Sequence, residues 1–161
     1  MSTVTVGLQG VVCIASSGRA TWAATPAANI YSGTAPAGLT AMNVVRNVNM
    51  TLNANKADVS SRASLWKLTA MALQEASIDI DIPWTPADSG FQALRNAFFN
   101  RTSVALAILD GPSATSGSQG LWADFVVTDF PREEPIDKEM LLKVKIEPTA
   151  SAVPPQWVIC N

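Results

Sequence analysis

The chain contains no histidine. That absence removes Ser-His-Asp triads, Cys-His dyads and imidazole metal sites together. Charge is scarce as well: 15% of residues are charged, against roughly 25% in ordinary soluble domains. Disordered chains are rich in charge, so disorder does not explain the deficit. A chain this poor in charge buries much of its surface or covers it with copies of itself. The net charge is −2 and the positive residues are scattered, so no basic cluster exists to hold phosphates tightly. There are two cysteines, Cys13 and Cys160, near opposite ends. A secreted disulfide scaffold would use more. They read as two small buried hydrophobes, and assembly is expected to be indifferent to reducing agents. No apolar run approaches the roughly 20 residues that a membrane-spanning helix needs. The opening MSTVTVGLQGVVCIASSGRA lacks a basic leader, and Gln9 and Gly10 interrupt its apolar stretch. Val12 is also a poor residue before Cys13 for lipoprotein cleavage, so no export signal is expected.

What is present fits one domain. A chain of 161 residues buries roughly 70% of the surface its unfolded form exposes, without a disulfide or metal. Residues 1–43 are rich in Ala, Ser, Thr, Gly and Pro. Short strands are expected over residues 4–8 and 11–15. Residues 16–39 carry Pro26, Pro36 and three glycines and read as a long loop or an arm lying on a neighbour. The segments divide into residues 1–43 (strands and arm), 44–148 (a β-rich core) and 149–161 (a tail whose Trp157 needs a pocket).

The core begins with clean alternation. Val48, Met50 and Leu52 share one face, and Asn47, Asn49, Thr51 and Asn53 the other, which is the period of a half-buried strand. Residues 56–62 have no apolar periodicity and read as a loop, and residues 65–71 read as either helix or strand. Ala76, Ile78, Ile80 and Ile82 then alternate with Ser77, Asp79 and Asp81. One helix is expected over residues 85–100, with Thr85 as cap, Pro86 in the first turn and a stripe of Ala87, Phe91, Leu94 and Phe98. A single amphipathic helix in a β-rich chain must lie on a sheet. Three strand-like runs follow, near residues 104–109, 121–130 and 138–147. The intervening DGPSATSGSQG reads as a mobile turn.

Several weak chemical signals have simpler readings. Asp79 and Asp81 point the same way on a strand and could serve as an acid/base pair or as ligands for a hard cation. No third ligand accompanies them, so they read as a solvated acidic face. The glycine-rich loop after Asp110 lacks the Gly-Lys-Ser/Thr ending of a phosphate-binding loop. Exposed tryptophans on a β-sandwich can stack on sugars, which makes a carbohydrate- or receptor-binding module the alternative from another class. Trp22, Trp66, Trp84, Trp122 and Trp157 are read instead as anchors of the core or of a subunit interface. The sequons at Asn49 and Asn100 carry no information without secretion.

Three stretches taken together resemble a known family: VNMTLNANKADVSSRASLWK, the ASIDI strand followed by the helix, and GLWADFVVTDFPREEPIDKEMLLKVKIEPT. Their order and spacing resemble the major tail tube protein of long non-contractile-tailed bacteriophages. Asp58, Ser60 and Ser61 fill the family's loop positions. Phe125, Val127, Thr128, Asp129, Phe130, Glu134, Pro135 and Asp137 fill the late ones. The resemblance spans Arg46 to Trp157.

It implies a mainly β fold, a β-barrel or sandwich with one flanking α-helix. It also implies six-membered rings that stack into a tube through which DNA is ejected, with tape-measure and tail-terminator proteins as further partners. DNA would pass without specific binding, and no membrane would be involved. The place of action would be the virion, after assembly in the host bacterial cytoplasm. No catalytic residue, cofactor or metal is expected. A DNA channel should be neutral or acidic, since basic walls hold phosphates. Asn47, Asn49, Thr51, Asn53, Asp79 and Asp81 are therefore expected to face the lumen. Lys56, Asp58, Ser60, Ser61 and Arg62 are expected to form an inter-ring stacking loop. The inner tube of a contractile tail or of a type VI secretion system would use the same fold.

Overall fold

The computed structural model describes residues 10–15, 18, 23–27, 30–63 and 65–161. The strand expected over residues 4–8 and the side chain of Trp22 lie outside these. Eleven strands and one helix follow in the order β1 (Val11–Ala15), β2 (Ala23–Ala27), β3 (Ile30–Thr34), β4 (Leu39–Ala41), β5 (Asn47–Asp58), β6 (Thr69–Pro83), α1 (Ser89–Asn100), β7 (Val104–Leu109), β8 (Gln119–Asp129), β9 (Arg132–Glu133), β10 (Leu141–Pro148) and β11 (Gln156–Cys160). All eleven strands belong to one sheet, ordered β2-β3-β11-β8-β10-β6-β5 along its main path. A branch of β1, β4 and β7 joins through the other side of β8. The sheet curls into a half-barrel.

Two segments differ from the sequence expectation. The stretch read as a loop or arm carries β2, β3 and β4, and the stretch read as a tail carries β11. Strand β11 runs parallel to β3 and antiparallel to β8, so it joins the two. Strand β2 pairs only with the adjacent β3 and shows little alternation of its own, whereas β4 pairs with β1, and β3 and β11 pair with each other across most of the chain.

The main core lies between α1 and the concave side of the sheet. Ile78, Ile80 and Ile82 of β6 meet Leu142, Val144 and Ile146 of β10, and all six are buried. Phe91 and Leu94 of α1 close over them together with Phe125 of β8. A second cluster on the other side of β7 and β8 contains Trp122, Ala105, Ala107, Val158, Cys13 and Cys160. Both cysteines are free thiols. Burial pushes both above the ordinary thiol range, so little thiolate is present at neutral pH.

The helix starts three residues later than its sequence signals suggest. Thr85 does not cap it. The Asp88 N–H donates to the Thr85 carbonyl at 2.9 Å, which closes a turn around Pro86. Asp88 is then the cap, its Oδ2 accepting the Phe91 N–H at 3.0 Å. Ala87 is therefore outside the helix and exposed, while Phe91 and Leu94 keep the apolar stripe. Both Thr and Asp are good caps, and Pro at the first helical position fits the helix as well as the turn, so local preference alone did not choose. Asp88→Ala should cost about 1 kcal/mol by loss of the cap, measured by chemical denaturation. Thr85→Ala should cost clearly less. Equal losses would return the cap to Thr85.

The loop over residues 110–118 is tethered rather than mobile. Asp110 Oδ1 accepts the Gln119 N–H at 2.7 Å. The Gly117 N–H donates to the Cys160 carbonyl at 2.8 Å, and the Cys160 N–H to the Ser118 carbonyl at 2.7 Å. The C-terminal strand holds this loop, and no local pattern announces that contact.

Candidate functional site

Two surfaces of the β5–β6 region carry chemistry that the core does not use. The first is a ribbon. Strand β10 pairs with β6 only from Ile78 to Pro83. Beyond Ile78 the two strands continue alone, down to the pair Asp58↔Thr69. Nine residues of β6, 69–77, thus project about 30 Å from the sheet at ordinary strand rise. Pairing of Lys56 with Met71 and of Asp58 with Thr69 places residues 56–58, expected in a loop, on the strand. The register slips by one residue between Ala54 and Lys56. Such a bulge strengthens the local twist and re-aims the side chains beyond it.

The ribbon is apolar where it should be solvated. Leu65 is fully exposed, Leu73 is 78% exposed and Trp66 80%, and Val59, Leu68 and Met71 are exposed too. An isolated two-stranded ribbon is marginal in water. A contiguous apolar patch on a subunit marks an interaction surface. The sequence reading named Trp66 as an anchor of the core or of an interface but missed Leu65, Leu68 and Met71, because it left 65–71 open between helix and strand. The available signal was the run LWKLTAMAL, which has apolar residues at both strand phases.

The polar residues expected to stack rings also shape the tip. Asp58 Oδ1 accepts the Ser60 N–H at 2.9 Å, and Ser60 Oγ accepts the Leu68 N–H at 2.9 Å. Lys67 Nζ lies 3.9 Å from Asp58 Oδ2. The hydrogen bonds from Ser60 hold the Asp58 carboxyl below its usual range. The tip turn is therefore firm at neutral pH and loosens only as pH falls through that lowered value. Lys56 sits on the strand, and Ser61 and Arg62 sit exposed at the tip.

The second surface is the polar face of β5, β6 and β10. Asn47, Asn49, Thr51, Asn53 and Asp79 are exposed there and Asp81 is half-buried. Register sets the six along one pair of strands: Asn47 opposes Asp81, Asn49 opposes Asp79, Thr51 opposes Ser77, and Asn53 opposes Glu75. Asn47 Nδ2 donates to Asp81 Oδ2 at 3.3 Å. On the reverse side of the same strands, Ile78, Ile80 and Ile82 enter the core. The face is less acidic than β6 alone suggests. Lys143 lies opposite Asp81 and Lys145 opposite Asp79. Sequence reading could not pair residues some sixty positions apart. Among the described residues no group of three or more side chains could hold a metal ion.

The outer edge of β5 is open: among the described strands it pairs with β6 alone. The base of the ribbon borders an open groove of about 880 Å³, lined by Leu52, Met71, Ile30, Pro154, Pro155 and Trp157 among others. Open edges and an unfilled apolar groove suit contact with further chains.

The remaining tryptophans do not form a sugar platform. Trp122 is fully buried. Trp84 packs edge-on against Phe91 at 5.1 Å between centroids, with the Arg132 guanidinium 4.9 Å above its ring. Trp157 donates its indole N–H to Gln119 Oε1 at 3.1 Å.

No family model and no curated protein matches the chain. Solved structures do. A chain from the tail of an empty gene transfer agent particle, refined with C6 symmetry, superposes with a TM-score of 0.69 at 15% identity. The match covers 98% of this chain and 100% of that one. The SPP1 tail tube matches with a TM-score of 0.67 at 6% identity, covering 96% of this chain and 78% of the other. A chain of the anti-feeding prophage baseplate matches with a TM-score of 0.52 at 10% identity over 91% and 92%. With its curled, mainly β sheet and single flanking helix, the chain has the phage tail tube fold.

Proposed function

We propose that this protein is a structural virion protein that polymerises into a tail tube. The observation that carries the proposal is the projecting β5–β6 ribbon, whose Leu65, Met71 and Leu73 stay exposed in the isolated subunit. Likeness to a tail refined with C6 symmetry supports rings of six. Lateral contacts would use the open edge of β5, and stacking would use the ribbon. Heterologous contacts of this kind build closed rings and open filaments. The tube would belong to the phage tail, be assembled in the host cytoplasm, and meet tape-measure and terminator proteins at its ends. Electron microscopy of purified protein should reveal rings or filaments about 100 Å wide, as six domains of this size around a pore require. A strictly monomeric protein at high concentration would end the proposal.

The polar face of β5 and β6 lines the channel in this reading, because its reverse side is committed to the core. Asn49→Lys with Asn53→Lys should leave filaments intact and slow DNA release by about tenfold, since each added lysine takes up a phosphate contact. Release can be followed with an intercalating dye after triggered ejection. Unchanged release would place the face elsewhere.

The likeness to an anti-feeding prophage baseplate chain favours a second reading, the inner tube of a contractile tail. A sheath gene beside this one would decide for it.

A further inference from the structure

The polar face poses an electrostatic problem that rests on the lumen reading. A purely acidic face would shed DNA, but like charges opposite one another on neighbouring strands destabilise a sheet. Lysines relieve that repulsion, yet an uncommitted lysine holds phosphate. The register answers both demands. One row runs Asn47, Asp81, Lys143 across β5, β6 and β10. The next runs Asn49, Asp79, Lys145, Asp129 and reaches β8. Lys143 Nζ lies 2.9 Å from Glu133 Oε1 of β9, and Lys145 Nζ lies 4.0 Å from Glu147 Oε1. Each lysine therefore has carboxylates on both sides. Asp81 and Glu133 flank Lys143, and Asp79, Asp129 and Glu147 surround Lys145. The Glu133 carboxylate, by its hydrogen bond and its charge, and more weakly Asp81 raise the Lys143 ammonium above the ordinary lysine range.

We propose that this ladder is a phosphate-shedding surface for duplex DNA, in which Glu133 and Glu147 mask Lys143 and Lys145 at ion-pair distance and the opposing Asp81 and Asp79 reinforce the mask across the strands. The lysines balance the sheet, and the carboxylates deny them to a passing polyanion. Each lysine would otherwise add about 0.9 to the salt dependence of DNA binding by releasing a counterion.

The test uses the full-length chain and a fluorescein-labelled duplex of about 20 base pairs, read by anisotropy at about 50 mM salt. Glu133→Gln with Glu147→Gln should bind the duplex at least about tenfold more tightly than the unaltered chain, with a salt slope of about −2. Asp110→Asn with Asp137→Asn changes net charge equally, lies off the face, and should bind no better than the unaltered chain. Adding Lys143→Gln and Lys145→Gln to the first variant should abolish its gain. If the glutamate variant or the off-face variant folds poorly by circular dichroism, Asp79→Asn with Asp81→Asn weakens the mask across the strands and is read the same way. Equal binding by the on-face and off-face variants would overturn the proposal, as would a gain that survives loss of both lysines. The lumen reading fails separately. If the unmasked subunit binds DNA but its assembled tube releases DNA at the normal rate, masking holds and the face does not line the channel.

Discussion

Replacing residues 59–68 with a short Gly-Ser linker yields a folded, soluble subunit that no longer forms filaments. The segment takes no part in either core cluster, so the melting temperature should move little. It does carry Val59, Leu65, Trp66 and Leu68, all exposed. Taking each large apolar side chain out of water contributes roughly 1.5–3 kcal/mol. Loss of these four contacts would weaken each subunit contact by roughly 6 kcal/mol or more, which is more than about a thousandfold. Leu65→Ser with Trp66→Ser should reproduce most of that loss while leaving the turn of Asp58 and Ser60 intact. Asp58→Ala should act more mildly, because it loosens the tip without removing apolar surface. Negative-stain micrographs and sedimentation measure the outcome. Normal filaments from the linker variant would show that subunits stack through another surface.

Gly120→Ala should prevent folding or cost about 4 kcal/mol or more, the range reserved for changes that the structure cannot absorb. Gly120 lies on β8 where it opposes Leu109 of β7 and Val158 of β11. An added Cβ would collide with the Ile108 carbonyl oxygen and come within 3.0 Å of the Leu109 Cα. Both obstacles are backbone, so no side chain can swing aside, and here a strand glycine marks close approach of another chain segment. The damage would fall on the strand that joins the two branches of the sheet. Thermal melts and soluble yield report it. A melting temperature within a few degrees of the unaltered protein would contradict the packing described for β7 and β8.

Local pattern determined the parts of this protein whose burial is one-sided. The alternation of Val48 and Met50 with Asn47 and Asn49, and of the three isoleucines of β6 with Asp79 and Asp81, set which face enters the core. A strand's side chains can divide only between two faces. The stripe of Phe91 and Leu94 likewise required a helix lying on a sheet, and the absence of histidine removed whole classes of chemistry before any folding. Tertiary structure decided the rest. It chose Asp88 over Thr85 as the cap, by closing a turn around Pro86. It made strands of the Ala- and Pro-rich N-terminal stretch and of the C-terminal tail, because β3 and β11 find each other across most of the chain and β3 then carries β2 beside it. It exposed Leu65, Trp66 and Leu73 by ending β10 short of them, and hydropathy alone would have buried them. It set Lys143 and Lys145 against Asp81 and Asp79 through a register spanning sixty residues. Periodicity tells a residue which way to point, but only the fold determines what stands opposite.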